Sequence, residues 1–356
     1  MKKKRILVFA VTFVILAALF YLQFRTWKRF DWKVFKEQSG QVHPLPVLGA
    51  VGLIWVVYYL RALRWRTFLP PATRASAWAL TRPTVIGFTG LALFGRPGEL
   101  IRPYLIARRQ NLTFSSQLAV WAVERIFDTG AVVAMLAIAI FIFPRQLLSL
   151  PYFHSLHPGA FHRMRWGGVL LILLTAGLAL GAAAMRRHSD SVAGWVERRL
   201  GRLSPRLGHR FAIRVRAFGE GLHTLHSFSD FLQVSGLSLL VWLCVAGAYL
   251  QVTHAYPDSQ ILQSLTLAQV LLLMGASMLG AVLQLPALGG GSQLAVIAVL
   301  EGIFGVRPEL AVSCAILLWL VTFWSVAPVG LVMAHYERLS LRRLKSEGEE
   351  QEEIAD

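Results

Sequence analysis

Charge is scarce in this sequence. Only 15% of its 356 residues are Asp, Glu, Lys or Arg, where a soluble domain carries about a quarter. The acids are scarcest, 19 against 36 Lys and Arg, for a formal net charge of +17. Cysteine is nearly absent. Cys244 and Cys314 are the two in the chain; both sit in apolar stretches and read as small buried hydrophobes, not as a redox pair or metal site. The ten His are scattered over loops and helix ends, without the ligand spacing a metal enzyme needs. No nucleotide-binding loop or Ser/His/Asp arrangement stands out, and no finger or base-stacking module accompanies the basic charge. The expectation is therefore no metal, no other cofactor and no nucleic-acid partner.

Long apolar stretches take the place of charge. The chain is 55% hydrophobic, with a mean hydropathy of +0.54. Several runs reach the roughly 20 apolar residues that cross a bilayer. The fold class is an all-α polytopic membrane protein. Excess Lys and Arg in such a protein reflect cytoplasmic loops and anionic lipid.

Basic residues 2–5 precede an apolar run at 6–24. No small-residue cleavage site follows, so this reads as a retained first span, not a signal peptide. Residues 25–41 mix bases with aromatics and suit an interface, anchored by Trp27, Trp32 and Phe35. A second span at 46–63 ends in Arg61, Arg64, Arg66 and Arg74, read as a cytoplasmic cluster. Residues 85–94 are too few to cross alone and are cut by Gly95-Arg96-Pro97-Gly98, with Pro83 before them. Such a broken segment is tolerated only when buried or lining a cavity, so 80–110 reads as a re-entrant hairpin from the cytoplasmic side. A third span follows at 117–143, capped by Ser115 or Ser116, and a fourth at 166–185.

Residues 186–230 form the most basic loop. Leu207, Phe211, Val215, Phe218, Leu222 and Leu225 share one helical face there, which fits an amphipathic helix on anionic inner-leaflet lipid or a helix packed on the bundle. A fifth span covers 231–252. Residues 254–266 carry no Lys or Arg, so this loop reads as outside. Residues 267–305, broken at 285–293, form a second re-entrant hairpin or two full crossings. The last span is 310–333, with bases 338–345 inside. The layout is one membrane domain at 1–340, with about six full spans and two broken hairpins. An acidic cytoplasmic tail at 341–356 reads as disordered. Both termini are cytoplasmic in a bacterial-type inner membrane; a homo-oligomer stays open. Hairpins opening from opposite sides are the sequence pointer to an inverted-repeat transporter, whose half-helix N-termini would favour an anion such as a lipid phosphate.

Charges at membrane depth mark functional sites by default. Glu124 and Asp128, four apart, share a helical face, with Arg125 turned aside. Glu99 and Arg102 can pair locally. In one reading Arg96, Arg102 and Arg125 grip a phosphate through their planar forks. In the other, these charges pair with one another and pin the hairpin to the third span. The two are compatible. Gln284, Ser292 and Gln293 flank the glycine loop and either line the same cavity or cap a broken helix.

The blocks Gly95 to Arg102, Glu124 to Asp128 and Leu285 to Gln293 resemble the signatures of the lysylphosphatidylglycerol synthase transmembrane-region family, which includes flippase modules. The resemblance covers nearly the whole chain. It implies lipid handling, with site residues at Gly98, Glu99 and Arg102, at Glu124, Arg125 and Asp128, and at Pro286, Gly289, Gly290 and Gly291. Gln293 stands where the family usually has an acid. That departure puts a carboxylate-borne headgroup or proton role in question, although an amide still hydrogen-bonds a sugar or phosphate. The family's synthases add a soluble aminoacyl-transfer domain. Here about twenty residues follow the last span, so lipid aminoacylation is not expected.

Three functions stay open: a lipid translocase binding a phospholipid or lipid-linked headgroup at mid-membrane, a membrane enzyme acting on a lipid-linked substrate, and a scaffold for an envelope-building enzyme. The first is preferred. A cavity spanning both hairpins favours it, a closed cavity open to one leaflet favours the second, and packed charges without a cavity favour the third.

Overall fold

The computed structural model describes residues 31–69, 73, 75–153, 159–201, 209, 213, 227–281 and 290–337. Among them every regular element is a helix. The expected first span at 6–24, the six apolar positions from Leu207 to Leu225, the tail at 341–356, Arg74, Gln284, Pro286 and Gly289 lie outside the described residues.

Helix α1 (Trp32–Gly40) is capped by Asp31, whose side chain accepts from the Lys33 and Val34 amides at 2.9 and 3.2 Å. Helix α2 (Pro44–Phe68) starts on prolines and runs five residues past the expected end of its span. Arg61 and Arg64 are therefore helical and buried, not part of a cytoplasmic loop cluster, while Arg66 is exposed.

Helix α3 (Ala77–Phe94) begins at Ser76, whose hydroxyl accepts from the Ala79 amide at 3.1 Å. Pro83 does not break it, contrary to expectation. An internal proline strips the carbonyl four residues earlier of its amide donor. Here that carbonyl, on Ala79, accepts from Arg109 Nη1 at 3.3 Å instead. The break comes at Gly95, with φ 69° and ψ −151°, a conformation that a Cβ disfavours. A 3₁₀ turn (Arg96–Leu100) and helix α4 (Ile101–Gln110) then fold back along α3. The hairpin is tight because Gly98 lies on the backbone of Gly90, where a Cβ would overlap the carbonyl.

Helix α5 (Phe114–Ile142) is capped by Thr113, whose hydroxyl accepts from the Ser116 amide at 3.3 Å. The cap is thus not Ser115 or Ser116. Short α6 (Pro144–Leu148) leads towards α7 (Ala160–Gly201), which holds the expected fourth span in its first part. The expected loop from 186 is helical as far as 201, past a non-helical residue at His188. Helix α8 (Phe228–Thr253) opens with a reciprocal Ser227–Asp230 capping box. After α9 (Gln260–Gln263) come α10 (Leu267–Gly280) and α11 (Gly291–Gly302), packed together with the Gly280 Cα against the Gly291 carbonyl. The last helix is α12 (Pro308–Trp319), a π-helical turn (Leu320–Trp324) and α13 (Ala327–Tyr336). Gly330 of α13 is seated on Thr89 of α3.

Four described helices are long and apolar enough to cross a membrane: Pro44–Phe68, Phe114–Ile142, Phe228–Thr253 and Pro308–Tyr336. Helices α10 and α11, of 14 and 12 residues, rise only about 21 and 18 Å, against a hydrocarbon core of about 30 Å.

Contacts at helix ends assign two faces. On one face Glu337, after α13, pairs with Arg109 of α4 and lies 3.6 Å from Arg82 of α3. There too Trp65 Nε1 of α2 donates to Gln117 Oε1 of α5 at 3.0 Å. On the other face the His43 amide donates to the Ala255 carbonyl at 2.8 Å. Beside it Gln269 Nε2 donates to the Gln146 carbonyl at 2.7 Å, and the Asp31 amide to Glu309 Oε1 at 3.4 Å. Hairpin α3–α4 opens to the first face and hairpin α10–α11 to the second. Their tips meet where Arg96 Nη2 donates to the Ala281 carbonyl at 2.9 Å.

Candidate functional site

The site starts from two acids on α5. Glu124 and Asp128 are one turn apart, and both are buried to within 1% of full burial. Buried carboxylates need donors, and here arginines from three elements supply them. Arg64 of α2 spans the pair, with Nη2 2.6 Å from Glu124 Oε1 and Nη1 2.7 Å from Asp128 Oδ1. The same Nη1 donates to Ser238 Oγ of α8 at 2.7 Å. Arg102 of α4 reaches Glu124 Oε1 and Oε2 at 3.1 and 2.9 Å, and its Nη2 donates to the Arg61 carbonyl at 3.0 Å. Its guanidinium lies 4.2 Å from the Trp65 ring centroid. Arg125 Nη2 is 3.0 Å from Asp128 Oδ2 and 3.4 Å from Glu124 Oε2. Trp242 Nε1 of α8 donates to Asp128 Oδ1 at 2.9 Å.

Arg61 is the least satisfied of these cations. Its nearest carboxylate oxygen is Asp128 Oδ2 at 3.6 Å, and its Nε and Nη1 make no hydrogen bond. It is held by rings, with Phe88 at 4.9 Å and Trp242 at 5.6 Å, a favourable cation–π arrangement when desolvated. Four guanidiniums thus share two carboxylates, which leaves two positive charges over. Arginine stays protonated even when buried.

Beside this centre is a small, open-sided cavity of about 20 Å³, lined by Glu99, Arg102, Arg125, Phe88, Leu91, Trp121 and Gly87. A Cβ on Gly87 would come within 2.5 Å of the Arg102 Cβ, so glycine lets Arg102 lie against α3. Two arginines, the Glu99 carboxylate and apolar walls share this space, which an amphiphile's polar head would have to widen to enter.

Of the residues singled out by sequence, Glu99, Arg102 and Arg125 line the cavity and Glu124 and Asp128 pair behind them. Glu99 pairs with Arg96 at 2.9 Å and Arg102 with Glu124, so the expected local Glu99–Arg102 pair does not form. Arg96 joins the two hairpin tips, and Gly98 packs the first hairpin. Gly290, with φ 65°, caps α11, and Gly291, Ser292 and Gln293 form its first turn; none of the four lines the cavity, which among the described residues is lined by the first hairpin and α5 and does not span both hairpins as expected of a translocase. Sequence reasoning missed Arg61 and Arg64. The signal was there: two acids on one face demand partners, and Arg61 and Arg64 are three apart, which puts them on one face of α2.

Apolar membrane-length helices around an arginine–carboxylate centre define a multi-pass helical membrane protein with a buried polar site. The chain belongs to the family described as lysylphosphatidylglycerol synthase TM region, which matches residues 6–330. The UPF0104 membrane protein of Methanothermobacter thermautotrophicus is 22% identical over 329 residues, covering 85% of this chain and 88% of that one. A 91-residue segment is 35% identical to the glycosyltransferase AglD of Haloferax volcanii, covering 25% of this chain and 15% of that protein's length. No solved structure matches the chain.

Proposed function

We propose that this protein is a lipid translocase that takes the anionic head of a membrane lipid into the Arg102–Arg125 cavity. The observation that carries the reading is the surplus of buried positive charge beside an open-sided, partly apolar cavity. Family membership supports lipid handling. The hairpins, opening to opposite faces and touching at Arg96 and Ala281, suit alternating access from the two leaflets. In this reading both hairpins are re-entrant, α7 crosses the membrane, and about six spans surround them. The face bearing Arg66, Arg82, Arg108 and Arg109 is cytoplasmic, by the bias of basic residues to that side, in a bacterial-type inner membrane. The start of α11, with Gly290, Gly291, Ser292 and Gln293, forms the opposing gate.

The test is translocation of headgroup-labelled lipids in proteoliposomes. Protein-dependent movement that Arg102→Ala or Arg125→Gln abolishes, with folding intact, supports the proposal. No movement of any lipid, with or without a pH gradient, sinks it. Orientation is tested by thiol labelling of intact cells. Asp258→Cys should react from outside and Glu337→Cys should not; the reverse pattern inverts the assignment.

A second reading has its own support. The likeness of one segment to part of a glycosyltransferase fits a protein that presents a lipid-linked sugar to a transferase. Headgroup binding without movement across the bilayer would favour it.

A further inference from the structure

The cavity's charge balance speaks to the kind of headgroup. Every charged group described at the centre can be counted. Helix α2 supplies Arg61 and Arg64; the first hairpin supplies Arg96, Glu99 and Arg102; α5 supplies Glu124, Arg125 and Asp128. From α8 come only the neutral Ser238 and Trp242. Glu99 is neutralised by Arg96. Glu124 and Asp128 are each shared among three arginines. Two positive charges remain. The Nε atoms of Arg61, Arg64, Arg102 and Arg125 are buried and make no hydrogen bond, and the same holds for the acceptors Glu99 Oε2 and Asp128 Oδ2, which the arginines outnumber. Arg61 is 5% exposed and lies against Phe88, a cavity wall residue. Buried donors left unmade are costly, and an incoming anion relieves that cost.

We propose that the preferred ligand is a dianionic phosphomonoester at a lipid's end, in preference to a singly charged phosphodiester. This rests on the reading of the cavity as a lipid-headgroup site. A zwitterionic diester brings no net charge and an anionic one brings a single charge, so both leave the surplus standing. A dianion cancels it. Arg102 and Arg125 both reach the cavity, and the guanidinium fork matches a terminal phosphate. The apolar walls at Leu91 and Trp121 lower the local dielectric and strengthen the attraction. The selectivity should also follow the ligand's own proton. Phosphomonoesters lose their second proton near about pH 6, diesters have none to lose there, and no histidine lines the cavity.

The test is competition binding to the full chain in mixed micelles. The probe is phosphatidate with a fluorescent tail. The competitors are phosphatidate, phosphatidylglycerol, phosphatidylcholine and inorganic phosphate. At about pH 8 phosphatidate should compete at least about tenfold better than phosphatidylglycerol, and the ratio should shrink towards one at about pH 5. Arg125→Gln, with one surplus charge left, should cut the ratio at the higher pH several-fold. Arg125→Lys, which keeps the charge, should preserve most of it. If Arg125→Gln does not fold, the wild-type pH profile carries the test alone. Equal competition by the two anionic lipids at the higher pH overturns the dianion inference and leaves the lipid-site reading intact. Binding of no lipid overturns both. Inorganic phosphate competing as well as phosphatidate upholds the dianion chemistry and overturns the lipid-site reading.

Discussion

Arg64→Met is the sharpest probe of the buried centre. Arg64 is fully buried and makes three short charge-assisted or hydroxyl contacts, to Glu124, Asp128 and Ser238 at 2.6 to 2.7 Å. Breaking a buried ion pair by removing one partner costs about 3–5 kcal/mol. Two features of this site pull the value down. Arg102 and Arg125 still neutralise the two carboxylates, and the surplus positive charge falls from two to one. The methionine also keeps much of the stem's packing. A loss near the low end, about 3 kcal/mol, follows. Arg66→Met is the matched control: it lies two residues on in the same helix but is exposed, so it should stay within about 0.5 kcal/mol. Arg64→Lys keeps charge and loses the fork, and should fall between them. The assay is denaturant-titrated unfolding in micelles followed by circular dichroism, with each variant beside wild type. A double-mutant cycle of Arg64→Met with Asp128→Asn should show coupling of at least about 0.5 kcal/mol. If Arg64→Met unfolds with Arg66→Met, Arg64 is not buried in an ion network, and the charge count at the centre fails with it.

Three further outcomes are expected. Gly98→Ala places a methyl on the Gly90 carbonyl and should open the first hairpin, costing about 3 kcal/mol or more by analogy with overpacking; exposed Gly167→Ala, with open space around it, should stabilise slightly, and equal unfolding midpoints would contradict the close contact. Thr113→Ala should cost about 1 kcal/mol through the lost cap, while Ser115→Ala should be close to neutral in the same unfolding assay. Arg96→Cys combined with Ala281→Cys, with both native cysteines replaced, should cross-link with a short bifunctional maleimide; failure to cross-link in membranes would separate the hairpin tips that the Arg96–Ala281 contact joins.

Much of the fold was legible in the sequence because bilayer physics leaves few choices. Among the described residues the apolar runs became helices; Gly95 ended α3 where the small residues said it would, while α10 ended at Gly280, ahead of the expected break at 285–293. The site was half legible. Glu124, Arg125 and Asp128 stood out because charge inside an apolar run is rare. Arg61 and Arg64 did not, because arginines at the end of a span are by habit assigned to the cytoplasmic loop. What sequence could not show is that α2 continues to Phe68, which carries both guanidiniums alongside α5. Pro83 misled for a related reason: the repair of its missing hydrogen bond comes from Arg109, 26 positions later and on the other leg of the hairpin. Long-range partners of this kind leave no local trace.

The π-helical turn at Leu320–Trp324 sets the angular phase of everything after it. A π turn carries one residue more than an α turn, and each residue advances an α-helix by about 100°. Were the same residues wound as a regular α-helix instead, α13 would be swung round by roughly that angle. Gly330 would then face away from Thr89, and Glu337 would lose Arg109 and Arg82. The turn works as a one-residue vernier. It sets the direction of the last helix so that its far end clasps both legs of the first hairpin, some three helical turns away from where the adjustment is made.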